Sequence, residues 1–108
     1  MSHVSASYAA RATDHAVRRY AERVLGLPIP PALDDQRALS LVRARGTDCV
    51  AIRAHLAGLG GVILAAGMRS GTVVVPGERM RLRVSEGTVV TVLTPEPKVA
   101  GRPLRQAA

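Results

Sequence analysis

"GTVVVPGERMRLRVSEGTVVTVLT", residues 71–94, decides the fold class. It contains three β-rich runs separated by Pro76–Gly77–Glu78 and Ser85–Glu86–Gly87, and such steps at this spacing read as hairpin turns. The middle run alternates strictly, with Met80, Leu82 and Val84 on one side and Arg79, Arg81 and Arg83 on the other. A strand of that pattern has one face in a core and one in water. Three like charges about 6.8 Å apart along a strand repel one another unless solvated or matched by anions. On an edge strand they would only discourage aggregation, but here the run is central. The stretch therefore predicts an antiparallel meander covered on one face.

Working towards the N-terminus, the pattern becomes helical. Thr13 or Asp14 can cap a helix running to about Leu25 and stopping at Gly26. "GLPIPPALDD" holds three prolines and reads as an extended connector. Asp34 or Asp35 caps a second helix to Arg45, with Gly46 as its stop. A third begins at Thr47 in "TDCVAIRAHLAG", where Val50, Ala51, Ala54 and Leu56 can face the core. The segment after Gly58, "GLGGVILAAGM", reads either as a glycine-loosened continuation of the helix or as a short buried strand, which periodicity does not separate; the favoured reading of residues 58–70 is a short strand or an irregular segment. The expected fold is α+β, with two or three N-terminal helices packed on a C-terminal antiparallel three- or four-stranded meander. Residues 1–12 are expected to form a flexible arm, 13–94 a single domain, and 95–108 a flexible tail.

Composition bounds the rest. The 108 residues suffice for one modest core, and a 47% apolar content supports a folded chain. With no Phe or Trp and two Tyr, that core is aliphatic. The net charge of +7 favours polyanions or an acidic protein partner. Arginine outnumbers lysine fourteen to one, a bias that a GC-rich coding sequence also produces. Cys49 stands alone, so no intramolecular disulfide forms, and it reads as a small buried apolar group. There is no secretory h-region and no run near the ~20 residues of a membrane span. A soluble, cytoplasmic protein is expected.

The first helix supplies the second charged surface. His15, Arg18, Arg19, Glu22 and Arg23 fall on one side, opposite Ala16, Val17, Tyr20, Ala21, Val24 and Leu25. His15, Arg19 and Arg23 form an i, i+4, i+8 ridge about 12 Å long. Arg18 and Glu22 can pair at i, i+4. The helix N-terminus favours the neutral imidazole that a general base requires. An ordinary solvated face would carry the same residues. His3 and His55 read as incidental, and no Cys/His/Asp cluster has metal-ligand spacing.

"HAVRRYAERV", followed by two further helical segments and a terminal "GTVVTVL" strand, resembles small RelE-like and BrnT-like proteins of the barnase–EndoU–colicin–RelE (BECR) superfamily. The resemblance implies helices packed on an antiparallel sheet, and metal-independent RNA cleavage or a translation-blocking, toxin-like activity on RNA or the ribosome. It also implies a possible antitoxin partner and a prophage-type setting. His15 matches the motif histidine, Arg19 and Arg23 the motif arginines, and Thr91 the threonine of the last strand. Arg81 joins this catalytic set through a general likeness to basic sheet residues, with Arg18, Arg79 and Arg83 as substrate-binding groups. His15 would take the ribose 2′-hydroxyl proton while arginines stabilise the phosphorane. The connector is longer than in the compact members, and the sheet carries no aromatic to stack a base. A non-catalytic basic module for nucleic acid or an acidic protein, possibly phage-type, is the alternative. No cofactor, metal or membrane contact is expected.

Overall fold

The computed structural model describes residues 10–95. Its element order is β1 (Arg11–Ala12), α1 (Asp14–Arg23), α2 (Asp35–Ala44), α3 (Cys49–Ala65), β2 (Gly71–Val75), a 3-10 turn (Pro76–Glu78), β3 (Met80–Ser85) and β4 (Thr88–Leu93). This is an α+β fold in which three helices precede most of a four-stranded sheet of order β1-β4-β3-β2. The meander is present as expected. The fourth strand, however, is β1, which pairs in parallel with β4 through Arg11–Thr88 and Ala12–Val89. Arg11 and Ala12 therefore belong to the sheet and not to an arm; residues 1–9 and 96–108, the rest of the expected arm and nearly all of the tail, lie outside the described residues.

Local chemistry sets the helix ends. The Thr13 hydroxyl accepts from the Ala16 N–H at 3.0 Å, Asp34 from Arg37 at 2.8 Å and Asp48 from Ala51 at 3.0 Å. These caps satisfy donors that the first helical turn leaves open. The β3–β4 hairpin turns on Glu86 and Gly87, with φ of 47° and 76°. Two consecutive positive φ values match the right-handed twist of the flanking strands.

Residues 58–65, expected to be strand or irregular, continue α3 instead. The stripe Cys49, Ile52, Leu56, Gly60 and Ile63 is buried along its length. The face assigned from sequence was rotated: Val50 is 77% exposed, and Ala51 and Ala54 are exposed too, while Leu56 is fully buried. Glycine weakens a helix by about 1 kcal/mol each relative to alanine, but here Gly60 lets α3 lie close on the sheet. A Cβ at Gly60 would stand 2.6 Å from Val89 Cγ2 and 3.1 Å from Ala10 Cβ. Gly60→Ala is accordingly expected to destabilise the protein, because overpacking of about 1–3 kcal/mol exceeds the helix-propensity gain. Gly58, with nothing within 4 Å, should respond oppositely, gaining up to about 1 kcal/mol as alanine. Denaturant unfolding of the two variants checks both signs.

The core joins Ala16, Val17, Tyr20 and Ala21 of α1 to Leu39 and Val42 of α2, to the α3 stripe, and to Met80, Leu82, Val84, Val89 and Val92 of the sheet. The buried Cys49 is part of it. Helices α1 and α3 contact the sheet, and α2 packs on both of them. The sheet's opposite face has no covering layer among the described residues. No single helix among these residues is long and apolar enough to cross a membrane.

Candidate nucleic-acid interface

The expected site residues fall into three groups. The first is a network around α1. Arg18, expected to bind substrate, is 93% buried, as its 7% exposure shows. Its guanidinium donates to Glu22 Oε2 at 3.1 Å, Asp35 Oδ1 at 3.0 Å, and the Leu33 and Pro30 carbonyls at 2.7 and 3.2 Å. Burial alone would make this guanidinium easier to deprotonate, but the two carboxylates outweigh that and hold the proton more tightly than usual. With its donors committed, Arg18 holds the connector onto α1 and α2. It is corrected from a phosphate ligand to a structural cation.

His15 and Arg19 adjoin this network. The His15 Nδ1 lies 3.4 Å from Asp35 Oδ2, and its Nε2 lies 3.4 Å from Arg19 Nε. Arg19 Nη1 donates to Glu22 Oε1 at 2.7 Å. Two arginines thus face two carboxylates here, so this part of the ridge is close to electroneutral rather than a bare basic surface.

The second group lies at the edge of β4. Arg23 donates from Nη1 to the Val92 carbonyl at 2.8 Å, one residue from Thr91. The Thr13 N–H likewise bonds the Val89 carbonyl at 3.0 Å. Helix α1 therefore runs along the part of the β4 edge that the two-residue β1 leaves open, and its Arg23 end borders the sheet.

The third group is the uncovered sheet face. Arg81 and Arg83 are exposed on β3, and Thr91 pairs directly with Arg83. Thr72 of β2 flanks Arg83 on its other side. Arg79 does not share the row: it sits in the hairpin with φ 52°, before the strand begins. Arg11, which sequence reasoning assigned to the arm, joins this face from β1 at the far end, beside Thr88. Ala10 and Ala12 are buried, so the exposed Arg11 points from β1 to the open side. Among the described residues Arg11, Arg81 and Arg83 make no ion pair. Thr72, Ser85, Thr88 and Thr91 supply hydroxyls around them.

A separate constellation escaped the sequence. Tyr20 donates its phenolic proton to Glu78 Oε1 at 2.6 Å, and His55 Nε2 lies 2.6 Å from Glu78 Oε2. The two rings meet edge to face with centroids 5.8 Å apart. This joins α1, α3 and the β2–β3 turn. Burial and the bond to Glu78 push the Tyr20 phenol up to about 12. Burial would raise the Glu78 carboxyl, but hydrogen bonds from Tyr20 and His55 outweigh it and hold it below its ordinary 4.5. A depressed carboxyl stabilises the fold above its unfolded value, and that contribution is lost as pH falls through the lower folded value. Glu78→Gln should therefore flatten the loss of stability seen below about pH 4.5. The raised phenol acts oppositely, its contribution intact below about pH 10 and lost as pH rises towards 12. Thermal unfolding across pH reads both limbs. No histidine-to-glutamate spacing in the sequence signals this contact; only the buried tyrosine's need for a partner hints at it.

No group of three or more His, Cys, Asp or Glu side chains able to hold a metal occurs among the described residues. The fold and the open basic face define an α+β protein with a one-sided sheet. No family model, no curated protein and no solved structure matches the chain.

Proposed function

We propose that this protein binds RNA through the open face of its sheet, by contacts to the phosphate backbone. The observation that carries this reading is the set of guanidinium groups of Arg11, Arg81 and Arg83, which share one sheet face and make no ion pair among the described residues, with hydroxyls of Thr72, Thr88 and Thr91 beside Arg83 and Arg11. Guanidinium geometry suits phosphate oxygens, and Thr91 and Thr72 can donate to the same oxygens. With no Phe or Trp in the chain, base stacking contributes little, so recognition follows the backbone and not the sequence. Arg23 extends the surface along the β4 edge. An acidic partner protein, such as an antitoxin, would compete for the same face.

The test is binding of a labelled RNA oligonucleotide between about 50 and 200 mM salt. Affinity should fall linearly on a log–log plot. The Arg81→Ala/Arg83→Ala variant should bind more weakly, with a slope shallower by about 2. Unchanged affinity in that variant would remove the sheet face from consideration.

A second reading, metal-independent RNA cleavage of the toxin type, draws on the contacts of His15. With Nδ1–H directed at Asp35, its Nε2 lone pair accepts from Arg19 Nε at 3.4 Å; a phosphate that draws Arg19 onto its oxygens would free that nitrogen for the adjacent 2′-hydroxyl. His15→Ala should then abolish cleavage while leaving most binding intact. Cleavage that survives this substitution excludes His15 as the base.

A further inference from the structure

Strand register sets the side chains of the open face in three crosswise rows. These are Ser85–Thr88–Arg11, Thr72–Arg83–Thr91 and Val74–Arg81–Leu93. Along the strands, the rows resolve into lines of one chemistry each. β4 contributes the hydroxyls of Thr88 and Thr91, and β3 sets Arg81 and Arg83 on one side of them. On the other side stand Arg11 of β1, level with Thr88, and the exposed Arg23 of α1, held at the Val92 carbonyl. A hydroxyl line thus runs between two cationic lines. At the backbone, β3 and β1 are two strand spacings apart, about 10 Å.

That order specifies the occupant. A single strand brings one backbone and unstacked bases, and its affinity is built largely on stacking those bases against rings. Among the described residues the rings lie elsewhere. Tyr20 is buried with its hydroxyl on Glu78 and its ring against His55, and His15 sits beside Asp35. An A-form RNA duplex keeps its bases stacked inside. Across its wide, shallow minor groove it presents 2′-hydroxyls bordered by two phosphate backbones. Phosphate, hydroxyl, phosphate on the ligand meets arginine, threonine, arginine on the sheet. Each threonine hydroxyl both donates and accepts, so it can accept from a 2′-hydroxyl and still donate to a phosphate oxygen. A DNA duplex fits less well, because it has no 2′-hydroxyl and its minor groove is only about 6 Å wide. The DNA major groove is wider but about 8.5 Å deep, too deep for the face of a sheet to follow.

Resting on the RNA-binding proposal, we infer that the ligand is double-stranded RNA, held across its minor groove. Thr88 and Thr91 meet the 2′-hydroxyls, and the two arginine lines hold the flanking backbones. Such a contact follows the shape of the helix and is indifferent to base sequence.

Fluorescence anisotropy of the full chain with three probes of one sequence tests the inference: an RNA duplex, the RNA single strand and the DNA duplex. At one salt concentration the RNA duplex should bind about tenfold or more tightly than either of the others. Thr88→Val/Thr91→Val keeps β-branched side chains in the strand, and it should reduce the preference for RNA over DNA duplex to about twofold without changing the salt slope. A duplex carrying 2′-O-methyl groups should bind the wild type about tenfold more weakly, which serves even if the threonine variant folds poorly. Equal binding of the three probes, preference for the single strand, or undiminished binding of the 2′-O-methyl duplex would each overturn the duplex assignment while leaving RNA binding in place. Failure of every probe to bind would remove both.

Discussion

Arg18→Ala is expected to lower the unfolding free energy by about 3 kcal/mol, more than any arginine substitution on the sheet face. Removing the guanidinium takes the partner from Glu22 Oε2 and Asp35 Oδ1, leaving Glu22 only Arg19 and Asp35 only His15, and deprives the Leu33 and Pro30 carbonyls of this donor. Losing one member of a buried ionic network typically costs about 3–5 kcal/mol. The lower end applies because the Asp35 side chain is 35% exposed and regains some hydration. Arg18→Lys should recover little, since one ammonium cannot span acceptors arranged around a planar fork. Guanidinium unfolding at neutral pH, with an unchanged m-value, gives the measurement. A loss below about 1 kcal/mol would mean that the connector is held by something else.

Leu82→Ala should cost a comparable amount, about 2–5 kcal/mol, while Arg83→Ala next to it should stay within about 0.5 kcal/mol. Leu82 is fully buried at the centre of the sheet, between Val73 and Val92, and its removal leaves a cavity that rigid β-branched neighbours cannot collapse into. Arg83 projects from the opposite face and makes no ion pair among the described residues. The contrast between adjacent residues tests the alternation directly. If Arg83→Ala proved as costly as Leu82→Ala, the arginine would be part of the packing and no longer free to hold a phosphate.

The meander was legible because a two-residue period leaves few alternatives once Met80, Leu82 and Val84 alternate with charge. Helix starts at Thr13 and Asp34 were legible for a similar reason, since capping chemistry is local; the third helix, read as beginning at Thr47, starts at Cys49 with Asp48 as its cap. What the sequence concealed depends on contacts between distant residues. Glycines at 58, 60 and 61 lower helix propensity, and only the approach of Val84 and Val89 shows why a helix persists there. A two-residue strand such as Arg11–Ala12 has no periodicity to read. It exists because β4 offers an edge, and Arg11 gained its place on the open face through that pairing. Arg18 looked like its neighbours on the helical wheel. Its burial follows from where the proline-rich connector and Asp35 fold back, which no i, i+4 rule contains.

The β1–β4 pairing also fixes an order of events. Thr13 and Val90, which meet where α1 leaves β1, are 77 residues apart. Closing so long a loop delays folding, since the entropy of closure is spent before the contacts reward it. During synthesis, Arg11 can take its position only after Val89 has emerged from the ribosome exit tunnel. The nascent chain thus lacks Arg11 on the open face until nearly all of the described region has been translated, so the cationic face is completed only late in synthesis.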